Sequence, residues 1–104
     1  MASEVKRQLD AGEPIQLIDV REPMEHATAS IAGAELIPMN SVPQNLQHIE
    51  DLAEKGKLVV FCHHGVRSLM VINWLREQGV AGCVSMAGGI DRWSMEIDPS
   101  VPRY

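Results

Sequence analysis

The run Leu58-Val59-Val60-Phe61-Cys62-His63-His64-Gly65-Val66-Arg67-Ser68 decides how the rest of this chain is read. Four consecutive apolar residues, two of them β-branched and one aromatic, suit a strand buried on both faces, as in a parallel sheet covered by helices. Cys62 follows at the carboxyl end of that strand, and open α/β sheets bind ligands in the crevice outside that end. Beyond it, Leu69 to Gln78 reads as a helix stopped by Gly79, so a short loop joins Cys62 to a helix start. Backbone N–H groups and the positive helix end then face the sulfur and favour its anion. A cysteine elsewhere is a small core hydrophobe. Between a strand end and a helix start, with Arg67 nearby, Cys62 is instead the candidate nucleophile.

The helix carries Leu69, Met70, Val71, Ile72, Trp74 and Leu75, apolar nearly all round in its first half, which predicts a buried start. Gly79 to Gly82 turns the chain into a last strand, Cys83 to Met86. Gly88-Gly89 then permits a tight strand-to-helix turn, with Trp93 packed beneath it. The tail, residues 98–104, is too rich in proline for regular structure. Upstream, Ser3 caps a first helix through Val5 and Leu9 to a Gly12 stop, and Ile15 to Ile18 with Val20 forms a core strand that turns Asp19 and Arg21 toward the active end. Pro23 opens a short helical turn. Ala34 to Pro38 is a brief edge strand, because its proline lacks a ladder donor. Asn40 or Ser41 caps a second helix through Leu46, Ile49, Leu52 and Ala53, ended by Gly56. Trp74, Trp93 and the methionines read as core, and His26 and His48 as surface. Cys83 reads as core. Parallel pairing sets it several residues, at about 3.3 Å each, from Cys62, too far for a disulfide.

The segment Cys62-His63-His64-Gly65-Val66-Arg67-Ser68 resembles the active-site loop of the rhodanese family of sulfurtransferases. Ile18-Asp19-Val20-Arg21-Glu22 is similar to the family's early strand-end motif, and Ala87-Gly88-Gly89-Ile90-Asp91-Arg92-Trp93 to its closing Gly-Gly-Ile-x-x-Trp. Ser30 and Ala32 depart from the pattern, standing where a His and a Pro are usual. The tail is similar to the ends of rhodanese domains fused behind adenylating enzymes of molybdopterin synthesis. The resemblance implies a single domain over residues 1–104, with residues 98–104 as an extended tail. Its architecture would be a three-layer α/β fold with a mostly parallel sheet of four or five strands. It implies sulfane-sulfur transfer through a persulfide on Cys62, from a donor such as thiosulfate to a thiol or cyanide. His63, His64, Gly65, Val66, Arg67 and Ser68 would line the substrate pocket. His64 stands where some relatives carry a cation. Asp19 and Arg21 are either a structural ion pair behind the loop or part of the pocket.

Two rivals share the cysteine-in-a-nest design. One is a persulfide carrier that takes sulfur from a cysteine desulfurase and hands it to a partner enzyme. The other is a cysteine phosphatase or arsenate reductase, but here four residues separate Cys62 from Arg67 where the phosphatases resemble one another in having five. No metal or organic cofactor is expected, since three consecutive loop residues rarely converge on one ion and no other Cys or His spacing suits a ligand set. The 104 residues, 45% of them hydrophobic, suit one compact core. A formal charge of −5, with nine scattered Lys and Arg, argues against a nucleic-acid face. No apolar run approaches the roughly 18 residues a membrane span needs. Two cysteines suit a reducing compartment, so a cytoplasmic setting is expected.

Overall fold

A computed structural model describes residues 2–104. The chain runs α1 (Ala2–Asp10), β1 (Ile15–Asp19), α2 (Pro23–Thr28), β2 (Glu35–Leu36), α3 (Leu46–Lys55), β3 (Lys57–Phe61), α4 (Val66–Glu77), β4 (Cys83–Ser85) and α5 (Gly89–Glu96). Four strands form one sheet in the order β2-β1-β3-β4, and every pair is parallel. The all-apolar strand β3 lies inside it, and Leu58, Val59, Val60 and Phe61 are fully buried. Burial of each such side chain contributes about 1.5–3 kcal/mol. The two-residue β2 occupies an edge, as the proline after it requires.

Alternation along β3 builds two cores. Leu58, Val60 and Cys62 face Ile49 and Leu52 of α3 and Val71, Ile72 and Leu75 of α4. Val59 and Phe61 face Val5 of α1, Ile90 and Trp93 of α5, and Val101 of the tail. This gives the expected three layers, with Cys62 emerging toward α4. Cys83 pairs with Leu58, four residues before Cys62, and both cysteines are free.

Several local expectations are corrected. Helix α1 already includes Ala2, so Ser3 lies within it and is not its cap. Neither Asn40 nor Ser41 caps α3. Pro38 and Pro43 interrupt the backbone donors, and two 3-10 turns, Met39–Ser41 and Pro43–Asn45, precede a helix whose N-cap is Asn45. Helix α4 begins at Val66, three residues early, and its start is not buried: Val66 is 71% exposed and Met70 58% exposed. Of its residues, only Ser68, Val71, Ile72 and Leu75 are buried. The methionines divide, with Met86 buried and Met24, Met70 and Met95 exposed. His26 is tied to Asp19 and is not a free surface residue, whereas His48 is exposed and pairs with Glu35.

Candidate active site

The Cys62 sulfur lies in a ring of backbone and hydroxyl groups at the end of β3. Cys62 is only 2% exposed. The Gly65 N–H points at Sγ from 3.1 Å and the Ser68 N–H from 3.4 Å, while the Ser68 hydroxyl lies 3.6 Å away. Gly65 sits at φ +114°, a left-handed conformation that a side chain would strain, and this turn aims its N–H at the sulfur. Burial alone opposes ionisation of Cys62. The N–H and hydroxyl of Ser68 and the N–H groups of Gly65 and Arg67 outweigh it, so the thiol is held below its ordinary value.

The start of α5 grips this loop from outside. Ile90 and Asp91 donate their N–H groups to the carbonyl oxygens of Cys62 and His63 at 2.9 and 3.1 Å. A Cβ at Gly89 would stand 2.3 Å from the Cys62 carbonyl oxygen, at a φ of +59°. The Gly-Gly turn is therefore required twice, for its backbone and for its closeness to the loop.

Arg67 does not turn toward the loop carbonyls or into the ring of donors. Its guanidinium makes a bidentate pair with Glu25 of α2, at 2.7 and 2.9 Å. Arg67 holds the Glu25 carboxyl far down, at about 2, and Arg67 is raised in return. Asp19 and Arg21 form a fully buried pair at 2.7 Å. Arg21 also donates to the Glu25 and Ala29 carbonyls and to the Tyr104 hydroxyl. Its fork is thus spent on Asp19, α2 and the tail. His26 Nδ1 lies 2.8 Å from Asp19 Oδ2 on the rim of the same cluster.

The tail has no helix or strand, as expected, yet it packs tightly. Tyr104 donates its hydroxyl to Glu25 at 2.8 Å and stacks on His63, which in turn stacks on His64, with 4.0 Å between centroids in both pairs. His63 is lowered by burial and by His64. Glu25, Ser85, Asp91 and Tyr104 therefore join the site although the sequence pattern did not single them out. Only Glu25 had a local signal, three residues after Glu22 where a capping pair forms. Nitrogens of His63 and His64 and an Asp91 oxygen lie within 4.8 Å of one another. The imidazoles are stacked only 26° from parallel, so their in-plane lone pairs run side by side and do not converge, and Asp91 already accepts from Arg103 at 3.1 Å.

A cavity of about 460 Å³ opens beside the loop between Gly65, Leu69, Met70 and Ser85. Its rim includes the exposed apolar side chains of Val66, Leu69 and Met70. No helix among the described residues is long and apolar enough to cross a membrane.

A buried cysteine ringed by N–H donors at the carboxyl end of a parallel sheet defines a thiolate-nest α/β domain. The family model for the Rhodanese-like domain matches residues 1–96, and the chain belongs to that family. It is 36% identical over 105 residues to the maize protein "Adenylyltransferase and sulfurtransferase MOCS3-2", covering 97% of this chain and 22% of that protein. It is also 36% identical over 95 residues to YtwF of Bacillus subtilis, covering 91% of this chain and 88% of that one. The crystal structure of a rhodanese-like domain protein from Staphylococcus aureus superposes with a TM-score of 0.80 at 31% identity, over 99% of this chain and 94% of that chain. The chain spans less than a third of the length of the plant relatives it matches.

Proposed function

We propose that the protein transfers sulfane sulfur through a persulfide on Cys62. The carrying observation is the Cys62 sulfur at 3.1 and 3.4 Å from two backbone N–H groups, in a site that favours the anion. Sulfurtransferase in the name of the maize relative points the same way. In the forward step the Cys62 thiolate attacks the outer sulfur of a donor such as thiosulfate. The donor S–S bond breaks, sulfite leaves with its electron pair, and the nest stabilises the terminal sulfur of the persulfide anion. A thiolate or cyanide then attacks that sulfur and Cys62 departs as thiolate, restoring the enzyme. His63, His64, Gly65, Val66 and Ser68 line this path, with Gly65 and Ser68 as the anion donors. Arg67 acts through Glu25 to fix the loop, and Asp19 and Arg21 brace it from behind. No cofactor enters the scheme.

A second reading is favoured by one observation. The mouth of the site is apolar at Val66, Leu69 and Met70, and the Arg67 charge is neutralised by Glu25, so the pocket suits docking of a protein sulfur donor or acceptor better than capture of a free dianion. In that reading the domain is a persulfide carrier between a desulfurase and a partner enzyme, with slow turnover on thiosulfate. A phosphatase is disfavoured because the loop arginine faces Glu25. Thiocyanate formation from thiosulfate and cyanide tests the first reading. Activity lost in Cys62→Ser and kept in Cys83→Ser is expected, and the reverse pattern in folded variants would reject the site.

A further inference from the structure

We infer that Ser85 of β4 is a positioning residue that, through the Ser68 hydroxyl, carries the Cys62 proton to solvent and holds the sulfur as an anion. The inference rests on the reading of Cys62 as a nucleophile. Cys62 is 2% exposed and Ser68 0% exposed, so little water meets the thiol directly and a hydroxyl path offers its proton a way outward. The Ser68 Oγ lies 3.6 Å from the sulfur and 2.7 Å from the Ser85 Oγ. Ser85 is half-buried and lines the cavity of about 460 Å³ beside the loop. These three groups make a continuous path from sulfur to surface. The Ser68 hydroxyl can also donate to the Gly65 carbonyl oxygen at 3.1 Å, which accepts the hydrogen bond but has no proton of its own to pass on.

The proton balance favours this path. In the thiol state Cys62 donates to Ser68, Ser68 donates to Ser85, and Ser85 faces the cavity. On ionisation the sulfur proton passes to Ser68 Oγ, the former Ser68 proton passes to Ser85 Oγ, and the former Ser85 proton leaves to water. Each hydroxyl loses one proton and gains one. Both now point toward the sulfur: Ser68 donates to the thiolate, and Ser85 donates to Ser68. The transfer that removes the proton thus leaves the hydroxyls in the orientation that stabilises the anion. Without Ser85, the Ser68 oxygen would face the thiolate state with no donor of its own and no outlet.

The test is the pH dependence of iodoacetamide alkylation of Cys62, in a Cys83→Ser background so that one thiol reacts. Ser85→Ala is expected to raise the apparent pKa of Cys62 by about half to one unit, the size of one neutral hydrogen bond, because in the thiol state Ser68 can donate to the Gly65 carbonyl instead and only the thiolate state loses a partner. The high-pH rate should be unchanged. Ser85→Thr and Ser85→Val have the same shape but differ in the hydroxyl, so Thr should keep the parent value and Val should share the Ala shift. Equal apparent pKa values for Thr and Val, or a Ser85→Ala profile superposing on the parent, would show that the Ser85 hydroxyl does not support the anion through Ser68 and would overturn the inference. Alkylation uses no sulfur donor. A shifted profile in a protein that forms no persulfide would therefore count against sulfur transfer alone, and an unshifted one in an active sulfurtransferase against the relay alone.

Discussion

Replacing Glu25 by Gln removes the charged partner of Arg67 with little change in shape. Arg67 is the main cause that takes the Glu25 carboxyl from its ordinary 4.5 down to about 2. At 1.36 kcal/mol per unit this difference amounts to about 3 kcal/mol. The side chains of Arg67 and Glu25 are 30% and 21% exposed, so solvent screening reduces the expected contribution to about 2 kcal/mol. A carboxyl whose folded value is depressed contributes its stability above the unfolded value and loses it as pH falls through the folded one. The gap between parent and Glu25→Gln should therefore be full at pH 7, begin to narrow below about pH 4.5, and be nearly closed by about pH 2. Urea unfolding at a series of pH values measures this gap directly. A gap that stays constant across that range, or is absent at pH 7, would mean that the pair is solvated and does not anchor the loop.

Three further outcomes follow from the same geometry. Gly89→Ala places a Cβ against the Cys62 and His63 carbonyls at a left-handed φ, and should lower stability by about 1–3 kcal/mol and blunt Cys62 alkylation, whereas Gly79→Ala, also left-handed but with open space around it, should disturb stability alone. Tyr104→Ala removes the ring stacked on His63 and the hydroxyl shared by Arg21 and Glu25, and should increase hydrogen exchange in residues 62–65 while leaving the β1 and β3 amides protected. Met70→Glu puts a charge on the apolar rim. It should slow sulfur transfer from a cysteine desulfurase more than transfer from thiosulfate, and equal slowing of both would remove the support for a protein-docking mouth.

The strand-cysteine-loop-helix unit was legible because every signal for it is local. A run of apolar residues, a cysteine, a glycine and a helical period lie within one short segment, and the parallel sheet and its helical layers follow from them. The features that stayed hidden depend on distant partners. Arg67 meets Glu25 across 42 positions and Tyr104 meets Glu25 across 79, and no periodicity records such a pair. Arg67 next to Cys62 reads as a pocket cation until α2 is seen to supply its carboxylate. Helix α4 misled for another reason. Leu69 and Met70 continue the apolar pattern of Val71 and Ile72, and composition alone does not distinguish a side chain facing the core from one facing the mouth of a site. The tail has no regular structure, as its prolines imply, but irregular backbone can still pack, as Val101 and Tyr104 do.

The most direct test of a Cys62 persulfide is intact-mass analysis after exposure to thiosulfate, and separately to a cysteine desulfurase with cysteine, followed by peptide mapping. The expected result is the gain of one sulfur atom, located on Cys62, reversed by cyanide or a thiol, absent in Cys62→Ser and retained in Cys83→Ser. A mass that never changes with either donor, or Cys62-dependent release of phosphate from an aryl phosphate with no persulfide detected, would contradict it.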